Sequence, residues 1–295
     1  MNRMTLEKYL NDWIEVYKIN LAYNTYRGYM VNLRHICRYI GNVELDSLTY
    51  TDIQGCYMKL LETLSGTSVV YCHRVLRNAL NYAYKRDIIS KNPCDLVIAP
   101  RKQRHEITIL TEDELHILLE AVEGTWLYTP ILIAVTLGLR RGEVMGLRWS
   151  DVDFKNNIIT ISKSLACISG ELVLSDVKTA KSHRSLLISD SFAKYLFRLR
   201  CDSECEYVCC RYGQPVSPNV FDKYFKRTVR SISIPDICFH DLRHTNATLL
   251  LKKGIPAKIV SERLGHSSIT ITLDTYSHVL IDMQKDSSEA FDDLI

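Results

Sequence analysis

Between His240 and Tyr276 the chain reads HDLRHTNATLLLKKGIPAKIVSERLGHSSITITLDTY. His240, Arg243 and His244 fall at i, i+3 and i+4, so on a helix they share one face. Leu242, Leu249 and Leu250 fall near the opposite face and would hold that helix to a core. A Gly265-His266 pair follows, then Tyr276. Two imidazoles, a guanidinium and a phenol this close together suit phosphate chemistry. Arg grips non-bridging oxygens as a fork, His shuttles protons or donates hydrogen bonds, and a Tyr hydroxyl can form a covalent ester. Each group also has a plainer explanation. His and Arg can decorate a solvated helix face, Tyr276 can be a half-buried ring, and two helices around GIPAKIV can be a helix-turn-helix.

The three pieces HDLRH, LGHSS and DTY, in this order and spacing, resemble the C-terminal signature of the tyrosine recombinases, the phage integrase family. That family's pattern is His-x-x-Arg, then Gly-His, then a nucleophilic Tyr. Two further matches lie upstream. Gly138-Leu-Arg140-Arg-Gly-Glu143 resembles the first-arginine motif, which makes Arg140 the catalytic arginine, with Arg141 its rival one position on. Glu143 then holds the local turn; an Arg140–Glu143 ion pair is the plain alternative. Lys178 matches the family's β-hairpin lysine, with Lys181 and Arg184 as the rival bases nearby. The resemblance implies a catalytic set of Arg140, Lys178, His240, Arg243, His266 and Tyr276. Its implied reaction is site-specific strand exchange on double-stranded DNA, through a 3′-phosphotyrosine and a four-way (Holliday) junction, by a homotetramer. It leaves room for an accessory directionality factor.

The elements that must carry these residues are legible as periodicities. Residues 5–17 form an amphipathic helix, with Leu6, Leu10, Trp13, Ile14 and Tyr17 on one stripe. A second helix starts at an Asn24 cap and stops at Gly41. A third spans 51–64, with Ile53, Tyr57, Leu60, Leu61 and Leu64 inward, and a fourth begins near Thr67. This four-helix unit, 1–97, resembles the family's core-binding domain. Arg27, Arg74 and Arg77 on its polar faces are DNA-contact candidates. A basic strap at 98–108 adds Arg101, Lys102 and Arg104.

Thr111-Glu-Asp-Glu114 is a capping box that opens a second unit, 109–276. Its helix at 112–122 precedes an apolar helix from Trp126 to Leu139, with Arg140 at its end. A strand at 157–163 returns through Gly170 to 171–175 and leads to Arg184–Ile188. Lys181 and Arg184 in the connecting loop are further DNA-contact candidates. Helices near 190–200 and 217–230 complete the unit. The expected fold class is mainly α with a small antiparallel β-sheet: a helical core-binding domain plus an α+β catalytic domain.

Composition sets bounds. The net charge of the 295-residue chain is +3. The segment after Tyr276 carries −4, so residues 1–276 carry +7, a moderate polyanion-binding balance. No apolar run reaches membrane-span length and no secretory signal opens the chain, so a cytoplasmic, nucleoid-associated bacterial protein with reduced thiols is expected. Among its ten cysteines, Cys201, Cys205, Cys209 and Cys210 cluster, but not as paired C-x-x-C ligands, so packing cysteines and no metal are expected. No phosphate-binding Gly-rich loop or carboxylate cluster calls for a nucleotide or paired metals, and no cofactor is expected.

Three alternatives remain open here. One is a chromosome- or plasmid-dimer-resolving recombinase. Another is a type IB topoisomerase, which shares the chemistry. The third is a non-catalytic helix-turn-helix regulator, with no use for Arg140, Lys178 or Tyr276. The chain starts at the core-binding helices, so an arm-site domain is expected to be missing, by truncation or by nature. The tail, 277–295, has two short apolar stripes and is expected to dock on a neighbouring protomer.

Overall fold

The computed structural model describes residues 4–101, 107–177 and 182–276. The backbone divides into two compact units, with the division between Glu106 and Ile107.

In the first unit four helices enclose one core: α1 (Leu6–Tyr17), α2 (Tyr23–Ile40), α3 (Tyr50–Leu61) and α4 (Gly66–Tyr84). Their starts follow local chemistry. The Thr5 and Ser65 hydroxyls cap α1 and α4, and Thr49 with Asp52 forms a reciprocal capping box at α3. The second helix differs from the sequence expectation. Its cap is Ala22, without a side-chain bond, and Asn24 lies inside the first turn. The α1 stripe Leu6, Leu10, Trp13 and Ile14 is buried as its spacing requires, whereas Leu61 is exposed and Cys56 takes an inward place on α3. The Tyr9 hydroxyl donates to Ala79 O at 2.7 Å, tying α1 to α4 across the core. The strap leaves this unit with Ile98 pinned to Gln54 on α3, its N–H 3.1 Å from the side-chain oxygen.

In the second unit, α5 (Glu112–Val122) starts at the Thr111–Glu114 capping box. The apolar helix α6 (Tyr128–Leu137) is shorter than its hydrophobic run, because Gly138 ends it in the left-handed region at φ 64°. A Cβ at Gly138 would lie 2.7 Å from Asn246 Oδ1, so only glycine fits. The next helix, α7 (Arg141–Gly146), begins afresh at Arg140, which is its N-cap and not the end of the apolar helix.

The β structure also differs in pairing from the expected single small sheet. The chain bends near Ser162, and the two halves of the expected strand go to different partners. β1 (Val152–Asp153), β2 (Ile158–Ile161) and β5 (Arg184–Leu187) form one antiparallel sheet in the order β1-β2-β5. β3 (Lys163–Ile168) and β4 (Glu171–Asp176) form a separate hairpin around Ser169-Gly170, in register from Lys163↔Asp176 to Ile168↔Glu171. Both central turn residues have positive φ, as a tight two-residue hairpin turn demands.

α8 (Asp190–Cys201), a two-residue ribbon of β6 (Cys210–Arg211) with β7 (Gln214–Pro215), and α9 (Pro218–Val229) follow. The last three helices, α10 (Phe239–Lys252), α11 (Ala257–Leu264) and α12 (Ile269–Thr275), carry the motif residues. α10 is buried nearly all round and packs against α6. Leu242 and Leu251 are its fully buried leucines, while Leu249 and Leu250 are only partly covered.

Candidate active site

The site is built on two helix ends. A helix C-terminus leaves carbonyls without intrahelical partners and carries partial negative charge. Here α6 ends at Gly138 and α11 ends at Gly265, both left-handed caps. Arg243, on α10, donates Nη1 to Gly138 O and Nη2 to Leu264 O, each at 2.7 Å. Arg140 donates Nη2 to Gly265 O at 3.1 Å and Nη1 to Glu143 Oε1 at 2.8 Å. The two sequence-predicted arginines therefore meet at the end of α11, and Arg243 also reaches the end of α6. Arg243 is 2% exposed. Burial and the Arg140 charge lower its proton affinity, though a guanidinium stays charged throughout the working range.

Glu143 is 3% exposed and serves two arginines. Besides Arg140 it accepts from Arg184 Nη2 at 2.9 Å. Burial raises the Glu143 carboxyl, but the bond and charge of Arg184, then the Arg140 bonds, outweigh it and hold it below the usual carboxylate range. Arg184 corrects a sequence expectation. It is not a loop cation facing DNA but a buried clasp on β5, with Nε on Arg263 O at 2.7 Å and Nη1 on Ser182 O at 3.0 Å. Arg141, the rival of Arg140, is paired instead with Asp222 on α9.

His266 follows the Gly265 cap, and its Nδ1 lies 2.8 Å from Thr272 Oγ1, leaving Nε2 as the nitrogen open to a ligand. Tyr276 closes α12. Its ring is 1% exposed, packed with Ala247, Leu251, Val260 and Leu264. Burial pushes its hydroxyl up to about 12, against the lowering charge of Arg243. The Tyr276 hydroxyl meets His244 Nδ1 at 2.8 Å. His240 lies edge-on to His244, ring centroids 5.0 Å apart, on the exposed side of α10. All three imidazoles are driven towards the neutral form. Burial and then His240 take His244 down to about 4. Burial, then Arg243 and Arg140, take His266 down to about 4 and lower His240 as well.

Arg184 is thus the site residue that sequence reasoning misplaced, and His244 the one it left out of the catalytic set. The i+4 spacing of His240 and His244 signals a shared face, but only the fold shows which ring meets Tyr276. Lys178, Lys181, Lys102 and Arg104 lie outside the described residues. In the first unit Arg27 and Arg74 are exposed, the latter beside Tyr71. Arg77 is exposed but bonded to Asp95, Nη2 to Oδ1 at 2.8 Å. Arg101 is exposed at the end of the strap's described portion. Among the described residues no three of His, Cys, Asp and Glu are placed to share a metal ion. Cys209 is buried and its thiol is pushed up by burial, as a packing cysteine should be. No helix among them is long and apolar enough to cross a membrane.

Comparison with known proteins agrees with this architecture. Residues 108–282 match the phage integrase family, and residues 5–61 match the phage integrase N-terminal SAM-like domain. A "Tyrosine recombinase XerC-like" protein of Caldanaerobacter subterraneus is 28% identical, over 99% of this chain and 83% of its own length. The ICEBs1 integrase of Bacillus subtilis is 27% identical, over 90% of this chain and 76% of its own. Among solved structures, the Tn1549 transposon integrase in complex with transposon right end DNA superposes with a TM-score of 0.86 at 24% identity, covering 97% of this chain and 99% of that one. A lambda integrase tetramer bound to a Holliday junction gives 0.74 at 22%, covering 91% and 79%. These two likenesses carry the fold. The family match spans more than half of the chain, and the protein belongs to the phage integrase family of site-specific tyrosine recombinases.

Proposed function

We propose that the chain recombines double-stranded DNA at specific sites by transient covalent attachment through Tyr276, serving integration and excision of a mobile element. The observation that carries this reading is the pairing of Arg140 and Arg243 on two helix ends, beside a buried tyrosine whose titration Arg243 itself shifts. Arg140 and Arg184 share one buried carboxylate, Glu143, and Arg243 is bonded to carbonyls, so the site carries excess positive charge that an anion would complement. A phosphodiester is such an anion, and its pentavalent transition state carries more charge than its ground state. Arg140 and Arg243 therefore favour the transition state over the bound substrate. His266 donates a hydrogen bond from Nε2 to a non-bridging oxygen, and His240 supports the phosphate from the exposed side of α10. Tyr276 attacks phosphorus, leaving a 3′-phosphotyrosine and a free 5′ hydroxyl. Lys178 supplies the proton to that leaving oxygen.

The first unit contributes DNA contacts through Arg27, Arg74, Arg77 and the strap residues Arg101, Lys102 and Arg104, and Lys181 adds one from the second. Arg77 must then share its charge between Asp95 and phosphate. The lambda integrase tetramer on a Holliday junction supports a homotetramer that passes through such a junction; in this reading an accessory directionality factor aids it, in the bacterial nucleoid. The tail, 277–295, lies outside the described residues and in this reading docks on a neighbouring protomer. The reading of integration rests on the mobile-element integrases matched along most of this chain; a XerC-like recombinase matches over 99% of it as well.

A nicked suicide substrate tests the chemistry. The parent protein should form a covalent protein–DNA adduct that maps to Tyr276, and Tyr276→Phe should bind the same DNA without forming it. An adduct on any other residue refutes the assignment.

A further inference from the structure

The phenol proton of Tyr276 has to go somewhere when the hydroxyl attacks, and burial limits the choice. The ring is 1% exposed and surrounded by the aliphatic side chains of Ala247, Leu251, Val260 and Leu264, so bulk water is not at hand. The hydroxyl has one hydrogen-bond partner among the described residues, His244 Nδ1 at 2.8 Å. His240, one turn earlier on α10, touches His244 and not the hydroxyl.

We propose that His244 is the base that takes the Tyr276 proton during strand cleavage and returns it during rejoining. The proposal rests on Tyr276 being the nucleophile and assigns the step that reading leaves open. The step balances. The Tyr276 O–H bond breaks and its proton passes to Nδ1. The freed electron pair forms the O–P bond, the P–O5′ bond breaks, and O5′ takes a proton from the general acid, Lys178 in the reading above. Rejoining runs the same transfers backwards, with imidazolium protonating the departing phenolate. No oxidant or other reactant is needed.

The surroundings suit a base that stays idle until phosphorus arrives. Nδ1 can accept only from the neutral ring, with its proton on Nε2. The groups facing it are His240, Asp241 and Arg243 on its own helix, His266 after α11, and Tyr276 itself; burial, then His240 and Arg243, against the opposing charge of Asp241, keep the imidazole neutral at working pH. The phenol is neutral too, so no proton moves at rest. As the O–P bond forms, the phenol becomes acidic, and the negative phosphate beside the ring favours imidazolium. Proton transfer then accompanies bond formation, which is the regime of general base catalysis.

Adduct formation on the nicked substrate separates a base from a mere anchor. His244→Gln keeps a hydrogen-bond acceptor for the hydroxyl but cannot hold the proton, and it guards against a folding defect in His244→Ala. Both should bind DNA as the parent does and cleave at least ~100-fold more slowly. Placing 3,5-difluorotyrosine at position 276 makes the phenol more acidic and less dependent on a base. In the His244→Gln background it should restore cleavage by about tenfold or more, with little gain in the parent. Three outcomes overturn the proposal: parental cleavage by His244→Gln, faster cleavage by either variant, or no gain from fluorination. An adduct formed by Tyr276→Phe would instead overturn the identity of the nucleophile, a separate failure.

Discussion

Glu143→Ala separates what the buried arginine clasp does for stability from what it does for chemistry. The carboxylate serves two guanidiniums in different surroundings. The Arg184 side chain is 7% exposed and that of Arg140 is 38% exposed. The exposed half is screened and contributes at most about 1 kcal/mol. The buried half dominates, because removing Glu143 leaves Arg184 charged and uncompensated, at a cost of ~3–5 kcal/mol. For a unit of this size that lowers Tm by roughly 6–20 °C. The measurement is urea or thermal unfolding followed by tryptophan fluorescence in a Trp13→Phe background. The remaining Trp126 and Trp149 both report on the second unit. Adding Arg184→Met removes the stranded charge and should recover most of the stability, since apolar replacement of a buried pair is often neutral. Cleavage should stay impaired in the double variant, because Arg140 still lacks its carboxylate. The pH sign is fixed as well. A folded-state carboxyl held low contributes stability that is present above its unfolded value, near about 4.3, and is lost as pH falls through the lower folded value. The parent and Glu143→Ala should therefore converge in acid. A loss under ~1 kcal/mol, or exact additivity with Arg184→Met, would refute the reasoning.

Arg140→Ala should abolish cleavage while sparing DNA binding, and Arg141→Ala should be far milder, because Arg141 is committed to Asp222; equal losses on the suicide substrate would mean the motif is shifted by one residue. Lys178→Ala should regain cleavage when the 5′ bridging oxygen is replaced by sulfur, whose thiolate leaves without a proton. Rescue of Lys181→Ala instead would transfer the acid role to that residue. Deleting residues 284–295 should leave single-site binding intact in a mobility-shift assay and weaken four-protomer assembly; normal assembly with a lower Tm would show that the tail packs on its own domain.

The sequence made local rules legible and long-range pairing opaque. Thr111 to Glu114 reads directly as a capping box because all its partners lie within one turn. The burial of Leu6, Leu10, Trp13 and Ile14 follows from spacing alone. Strand 157–163 misled because alternation marks a strand but not its partner. The bend near Ser162 that sends β2 to β5 and β3 to β4 depends on contacts far along the chain. Arg184 was misplaced for a related reason. A base in a Lys/Arg-rich stretch looks solvated until the fold brings Glu143 and the Arg263 carbonyl, 41 and 79 residues away, onto its guanidinium. His244 was on the page as part of a helix face, but a face is a stripe. Choosing between His240 and His244 requires knowing where α12 returns.

The arginine site is assembled from helix ends. Gly138 and Gly265 end their helices in the one conformation that leaves their carbonyls free for guanidiniums. The arginines are thereby fixed without consuming carboxylates that would cancel their charge, apart from the single shared Glu143. Carbonyl dipoles orient a guanidinium and leave its full positive charge for an incoming phosphate. Burial, and then this retained charge, drives His266 and His240 towards the neutral form. A bound phosphodiester offsets that charge and raises the imidazoles' proton affinity. On the proposed chemistry, a bound scissile phosphate would thus set the protonation of the groups that act on it, starting from a Tyr276 hydroxyl that is protonated, buried and bonded to a neutral His244.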